Sequence, residues 1–169
     1  MPAIRPIQDE KQIEECVQVL RASFGTVAQE FGLTEANAPT NPAFTTTEKL
    51  KAHTKKPASL YGLFVEGRMV GCVVVEKSKQ REEVFFVERL AVLPKERHKG
   101  YGRELMQYSF DMIVKSGGRV ASVGLMNNNK VLKNWYIGQG FVQTCVKMLE
   151  HLPFEVCFMS VALSDRQPH

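Results

Sequence analysis

Residues 84–103, VFFVERLAVLPKERHKGYGR, pass from an apolar stretch through a proline into a basic segment holding two glycines. The opening letters are rich in Val, Phe and Leu and read as a β-strand ended by Pro94. Beyond them, GRELMQYSFDMIVKSGG sets Leu105, Tyr108 and Met112 on one helical stripe with Tyr101. That predicts a helix from about Gly100, closed by Gly117 and Gly118. RVASVGL at 119–125 is the next β run. Strand, helix and strand in this order make a right-handed crossover, so the runs at 84–93 and 119–125 should lie parallel in one sheet.

The same reading extends in both directions. AIRPI (3–7) is a short strand, and Asp9 caps a helix with Ile13, Val17, Leu20 and Phe24 on its buried stripe. From 25 to 44 the periodicity weakens and Gly, Pro and Asn accumulate, which predicts an irregular surface segment of the kind that often carries function. Thr45 and Glu48 have capping-box spacing for a short helix to about Lys55. SLYGLFVEGRMVGCVVVEKS (59–78) is a hairpin around Glu66-Gly67-Arg68. NNKVLKNWYIGQ (128–139) is a helix whose apolar positions are Val131, Leu132, Trp135 and Tyr136. FVQTCVKML (141–149) and PFEVCFMSVAL (153–163) form a final hairpin. The order β-α-α-β-β-β-α-β-α-β-β predicts an α/β or α+β domain, a mixed sheet with helices packed on it.

At 169 residues, 44% hydrophobic and 24% charged, the chain reads as one soluble globular domain, 1–169. No apolar run reaches the roughly 18 residues of a membrane span, and MPAIRPIQDEK has no signal-peptide pattern, so a cytoplasmic protein is expected. Cys16, Cys72, Cys145 and Cys157 sit apart inside apolar segments and read as buried free thiols, with no metal-ligand spacing. The net charge of +4 is spread among interleaved acids, and its densest excess is Lys95–Arg103. A small polyanion suits so short a patch better than nucleic acid, whose binders carry longer basic stripes.

A helix start offers unpaired amides and partial positive charge, and glycines let a phosphate approach the backbone closely. Gly100 and Gly102 supply the glycines; Arg97, His98, Lys99 and Arg103 would add charge. The P-loop pattern is absent, and the dinucleotide fingerprint fails because Leu105 stands at its third glycine. On charge and glycine alone, a solvated basic turn remains the competing reading.

ERLAVLPKERHKGYGRELM resembles the signature of the GNAT superfamily of acyl-CoA N-acyltransferases, with Arg97, Gly100 and Gly102 in its Arg/Gln, Gly and Gly/Ala places. NNNKVLKNWYIGQGF resembles that superfamily's second motif through Asn129, Tyr136, Gly140 and Phe141. The resemblance implies a mostly antiparallel seven-stranded sheet with helices on both faces. A bulge in the 84–93 strand would splay it from its parallel neighbour and open a slot for acetyl-CoA. It implies that the backbone of Leu90, Ala91 and Val92 holds the thioester and pantetheine arm, and that amides from Arg97 through His98, Lys99, Gly100 and Tyr101 to Gly102 hold the pyrophosphate. Asn129 would bond the pantetheine from the other side, and Tyr136 would stand near the sulfur.

The chemistry then asks for a neutral amine, an oxyanion donor and a proton for the departing thiolate. An amine of pKa about 10.4 is neutral about once in 2500 at pH 7, a deficit of roughly 4.6 kcal/mol that a base must offset. A placed backbone donor, here the Leu90 amide, is worth about 3 to 4 kcal/mol. Tyr136 is the candidate acid, against the plainer reading of a core tyrosine beside Trp135. The family's two glutamate places hold Gly124 and Phe86 here, so Glu88 is the candidate base. Strand alternation sets Glu88 on the same face as Leu90, and a salt bridge with Arg89 is the competing reading. The acceptor amine, small molecule or protein, is not named by the sequence; its site falls to residues 31–44, the first strands and the last hairpin. A non-catalytic acyl-CoA-binding or regulatory module is the alternative function. The apolar final hairpin suggests a homodimer.

Overall fold

The computed structural model describes residues 1–166. Seven strands form one sheet: β1 (Ala3–Pro6), β2 (Ala58–Val65), β3 (Arg68–Lys77), β4 (Val84–Val92), β5 (Val120–Met126), β6 (Val142–Met148) and β7 (Glu155–Ala162), in the order β1-β2-β3-β4-β5-β7-β6. Every neighbouring pair is antiparallel except β4 and β5. The crossover between those two carries α3 (Tyr101–Lys115), as the sequence predicts. The final hairpin folds back so that β7, not β6, pairs with β5 and β6 becomes the sheet edge.

The sheet separates two cores. On one face α1 (Glu10–Glu30) and α2 (Thr47–Lys51) bury Ile13, Cys16, Leu20 and Leu50 against Leu60, Cys72, Val74 and Ala91. On the other, α3 and α4 (Lys130–Gly138) bury Leu105, Phe110, Ile113 and Tyr136 against Val73, Val87, Val123 and Met159. A third cluster joins the end of α1 to the loop after it, with Ala28, Leu33, Ala38 and Met126 at its centre.

Several local expectations shift. α1 continues through Gly25 to Glu30, because Val27 and Ala28 bury themselves in the third cluster and outweigh the roughly 1 kcal/mol that a helical glycine costs. Thr46, not Thr45, caps α2, its hydroxyl accepting the Lys49 amide at 3.3 Å. Thr45 is used elsewhere: its amide donates to the Pro42 carbonyl, closing the turn at Pro42–Phe44, and its carbonyl accepts from Arg21. On α3 the core stripe is Leu105, Met106, Phe110 and Ile113, leaving Tyr101, Tyr108 and Met112 half-buried on its flank. Both stripes have helical spacing, and only the packing chooses between them. Val131 is exposed on α4. Cys16, Cys72 and Cys157 are buried but Cys145, on the edge strand, is half-buried. A hydrogen bond with Cys16, then burial, pushes the Cys72 thiol well up, which makes it a packing group. No helix among the described residues is long and apolar enough to cross a membrane.

Candidate active site

β4 carries one residue more than its partner. Cys72 faces Ala91 and Val74 faces Glu88, so Arg89 and Leu90 together oppose Val73 alone. Arg89 takes φ +51°, a left-handed conformation that is rare without glycine, and its carbonyl accepts from the Cys72 thiol at 3.8 Å. The expected bulge is therefore present, and it reverses the alternation of side chains. Val87 and Leu90 both pack on the α3 face. Glu88 pairs with Val74, which belongs to the α1 face, and directly opposed residues share a face. Glu88 and Leu90 thus lie on opposite faces, contrary to the simple alternation. β5 meets β4 only from Val84–Phe86 to Val120–Ser122 before the strands part. The opening is a cleft of about 1020 Å³ reached from both faces, large for a single small-molecule site.

Leu90, Val92, Leu132, Trp135 and Tyr136 line the half on the α3 face, and the head of α3 closes its end. Gly100 caps α3 at φ +87° after His98 at φ +66°, turning the chain sharply into the helix. Glu104 is the first residue to donate to the helix, at the Gly100 carbonyl, so the Tyr101, Gly102 and Arg103 amides are its orphan donors. Trp135 lies against Gly102, where a Cβ would stand 3.3 Å from the indole. The basic side chains are deployed differently from the expectation. Arg97 donates to the Ser23 carbonyl at 3.0 Å and the Thr26 hydroxyl at 3.1 Å, tying the loop to α1, while its amide is turned to the Pro94 carbonyl. The Lys99 ammonium is 2.7 Å from Glu96, which it holds below the usual carboxylate range, and Arg68 pairs with the same acid. His98 and Arg103 remain along the cleft.

Asn129 is buried as the N-cap of α4, its carbonyl oxygen accepting the Leu132 amide at 3.2 Å. Two turns later comes Tyr136, with its ring edge-on to both Trp135 and Phe141. Burial pushes its phenol up to about 12. It is at once a core tyrosine and a lining residue of the cleft.

On the α1 face the cleft is lined by Glu88, Glu76, Phe86 and Phe158 from the sheet, with Phe24 and Glu30 from α1. Arg89 donates to Glu88 at 3.1 Å, while its Nε is buried and unpartnered. Burial raises Glu88, Arg89 opposes this and Glu76 adds to it. His53, half-buried behind the bulge, is lowered to about 4 by burial and by Arg89. Gly124 leaves space that Phe158 fills: a Cβ there would meet the Phe158 ring at 3.3 Å and Val156 at 3.4 Å. The salt bridge between Glu88 and Arg89 that the sequence offered as the competing reading is thus present, whereas Glu76 and Phe158 were not singled out and Phe24 was read only as a core position; only a knowledge of the register brings them together.

A profile for the "Acetyltransferase (GNAT) family" matches residues 26–141 of the chain. The chain belongs to the GNAT acetyltransferase family. Solved structures agree on the fold of this GNAT protein. The PaiA N-acetyltransferase of Thermoplasma acidophilum, solved with coenzyme A, is 17% identical with TM-score 0.79, covering 96% of this chain and 99% of its own. The ribosomal-protein-S18-alanine N-acetyltransferase of Escherichia coli is 13% identical, TM-score 0.74, covering 96% and 94%. A GNAT-family acetyltransferase of Streptococcus pneumoniae is 16% identical, TM-score 0.69, covering 96% and 99%. No curated protein sequence matches the chain.

The GNAT family uses acetyl-CoA, and the residues present fit such a group. Orphan amides and a left-handed glycine form a cradle for an anion at the α3 head, the unpaired edge of β4 leads away from it, and apolar side chains line the path. Among the described residues, no three His, Cys, Asp or Glu gather as a metal site.

Proposed function

We propose that this chain, as one domain working in the cytoplasm, is an N-acetyltransferase that moves the acetyl group of acetyl-CoA to an amine. The observation that carries this reading is the bulged β4, which joins an anion cradle on one face of the sheet to a carboxylate-lined pocket on the other. Bound acetyl-CoA supplies an activated thioester that an amine attacks directly. The amides from His98 to Gly102 hold the pyrophosphate, the Arg97 amide being turned to the Pro94 carbonyl; the backbone of Ala91 and Val92, with Asn129, holds the pantetheine arm. The Leu90 amide donates to the thioester oxygen, where about 3 to 4 kcal/mol of stabilisation is the usual worth of such a donor. Tyr136 donates its proton toward the sulfur, and the phenol stays protonated at neutral pH because burial has raised it. Glu88, on the face from which an amine enters, withdraws the amine's proton directly or through water.

A non-catalytic acyl-CoA-binding module is the second reading, favoured by the absence of a carboxylate at Gly124 and Phe86 and by the Phe158 ring beside Gly124. Thiol release from acetyl-CoA with a broad amine panel separates the two. Amine-dependent release supports the enzyme; CoA binding with no release from any amine sinks it. A homodimer belongs to the same proposal: Val142 and Met148 are exposed on β6, and pairing with a second copy would cover them. Sedimentation as a monomer at all concentrations would remove that part alone.

A further inference from the structure

The half of the cleft on the α1 face has its own chemistry, and it names a class of amine. Its floor is aromatic. Phe86 of β4 and Phe158 of β7 flank the Ser122–Gly124 stretch of β5, and the missing side chain at Gly124 is what admits the Phe158 ring. Phe24 and Val27 of α1 and Phe154 of the link before β7 face this floor from the third cluster and line the same cleft. Those walls suit an apolar body, since a strongly polar one would lose its hydration there without replacement partners.

The charged groups are arranged just as asymmetrically. Glu30, Glu76 and Glu88 all line this half. Glu76 and Glu88 are diagonal neighbours on one face, because Glu76 opposes Phe86 while Glu88 opposes Val74. Arg89 is the cation placed among them, but it is already committed. One guanidinium nitrogen donates to Glu88, and its Nε is buried without a partner. Arg89 therefore compensates one carboxylate of the three, and neither Glu30 nor Glu76 has an ion-pair partner among the described residues. His53, behind the bulge, carries no charge at neutral pH. An ammonium is attracted into this half and an anion is repelled.

We propose that the accepted amine is a small monocation without a carboxylate, carried on an apolar body the size of an aromatic ring. This rests on the acetyl-transfer reading above. The ring seats among the phenylalanines, the ammonium faces Glu76 and Glu88, and an α-carboxylate on the same molecule meets like charge. Amino acids are disfavoured for that reason, and polyamines because a second ammonium would be stripped of water against the aromatic wall.

The test uses the purified full chain with saturating acetyl-CoA and reads thiol release with 2-phenylethylamine, phenylalanine, phenylalanine amide and spermidine. The expected result is kcat/KM for phenylethylamine and phenylalanine amide at least about tenfold above that for phenylalanine, and above spermidine. Glu76→Gln should shrink the gap between phenylethylamine and phenylalanine, and Phe158→Ala should raise KM for phenylethylamine; an unchanged melting shift with CoA checks that each variant is folded. Phenylalanine or spermidine as the best acceptor, or a gap indifferent to Glu76→Gln, overturns this inference and leaves the transferase reading standing. No thiol release with these four amines or with any of the broad panel, the CoA melting shift being intact, overturns both.

Discussion

Burial moves Tyr136 and Glu88 in the same direction, with opposite consequences for their chemistry. A phenol raised to about 12 is protonated throughout the working range, so Tyr136 keeps its proton available and contributes no alkaline limb near neutrality. Tyr136→Phe should lower kcat by about 100-fold while CoA affinity, measured by titration, stays within about twofold; a loss of affinity alone would make it a packing residue. Glu88 must instead be ionised to act. Its carboxyl is raised, so the rate should fall on acidification at a pH above the ordinary carboxylate range, and the pH profile of kcat/KM reads this limb. Glu88→Gln should cost about 100-fold and abolish the limb, and Glu76→Gln should move it to lower pH, because Glu76 is one of the groups raising Glu88. Tyr136 came into view in the sequence through the resemblance of Asn129, Tyr136, Gly140 and Phe141 to the family's second motif. Arg89 was legible only as a partner of Glu88, and its left-handed backbone was not announced by the letters.

At the level of elements, the loop before α3 owes its shape to conformation and long-range ties more than to charge. A Cβ added at Gly100 would meet nothing within 4 Å, so a substitution there acts through φ +87° alone. Gly100→Ala should cost about 1 to 2 kcal/mol in urea unfolding and weaken CoA binding, since the amides beyond it lose their aim. Arg97 fixes the same loop from the side through Ser23 and Thr26 of α1. Arg97→Met should destabilise by about 1 to 3 kcal/mol, and its loss of CoA affinity should vary little with salt. A steep salt dependence of that loss would instead make the guanidinium a direct phosphate ligand. The glycines and the strand-to-helix order betrayed this element in the sequence. The basic letters misled, since Arg97 and Lys99 are spent on Ser23, Thr26 and Glu96, and the first two of these partners lie far back in the chain. The bulge hid in the same manner: an inserted residue keeps a strand apolar but reverses its faces, which moved Glu88 away from Leu90.

Across the whole molecule, the element order and the parallel pair followed from sequence periodicity, but the place of β7 did not. Both strands of the final hairpin are apolar, and only packing puts β7 beside β5, delivering Phe158 to the α1-face half of the cleft. Ionisable groups are also held in part away from water on the α1 side of the sheet, and global stability should register them. His53 falls from 6.5 in the unfolded chain to about 4 in the fold, first through burial and then through the Arg89 guanidinium. Between those values the unfolded chain binds a proton that the folded protein refuses. The contribution of neutral His53 is therefore complete above 6.5 and is lost as pH falls toward about 4. The ring is half exposed, so water screens part of this effect. Glu88 opposes it, because a raised carboxyl binds its proton more tightly in the fold and favours folding on acidification. Urea midpoints at about pH 7 and about pH 4.5 should fall less for His53→Gln than for the wild type, since glutamine has no proton to gain. Equal falls in the two proteins would show that the acid sensitivity arises elsewhere in the fold and that His53 meets water freely in both states.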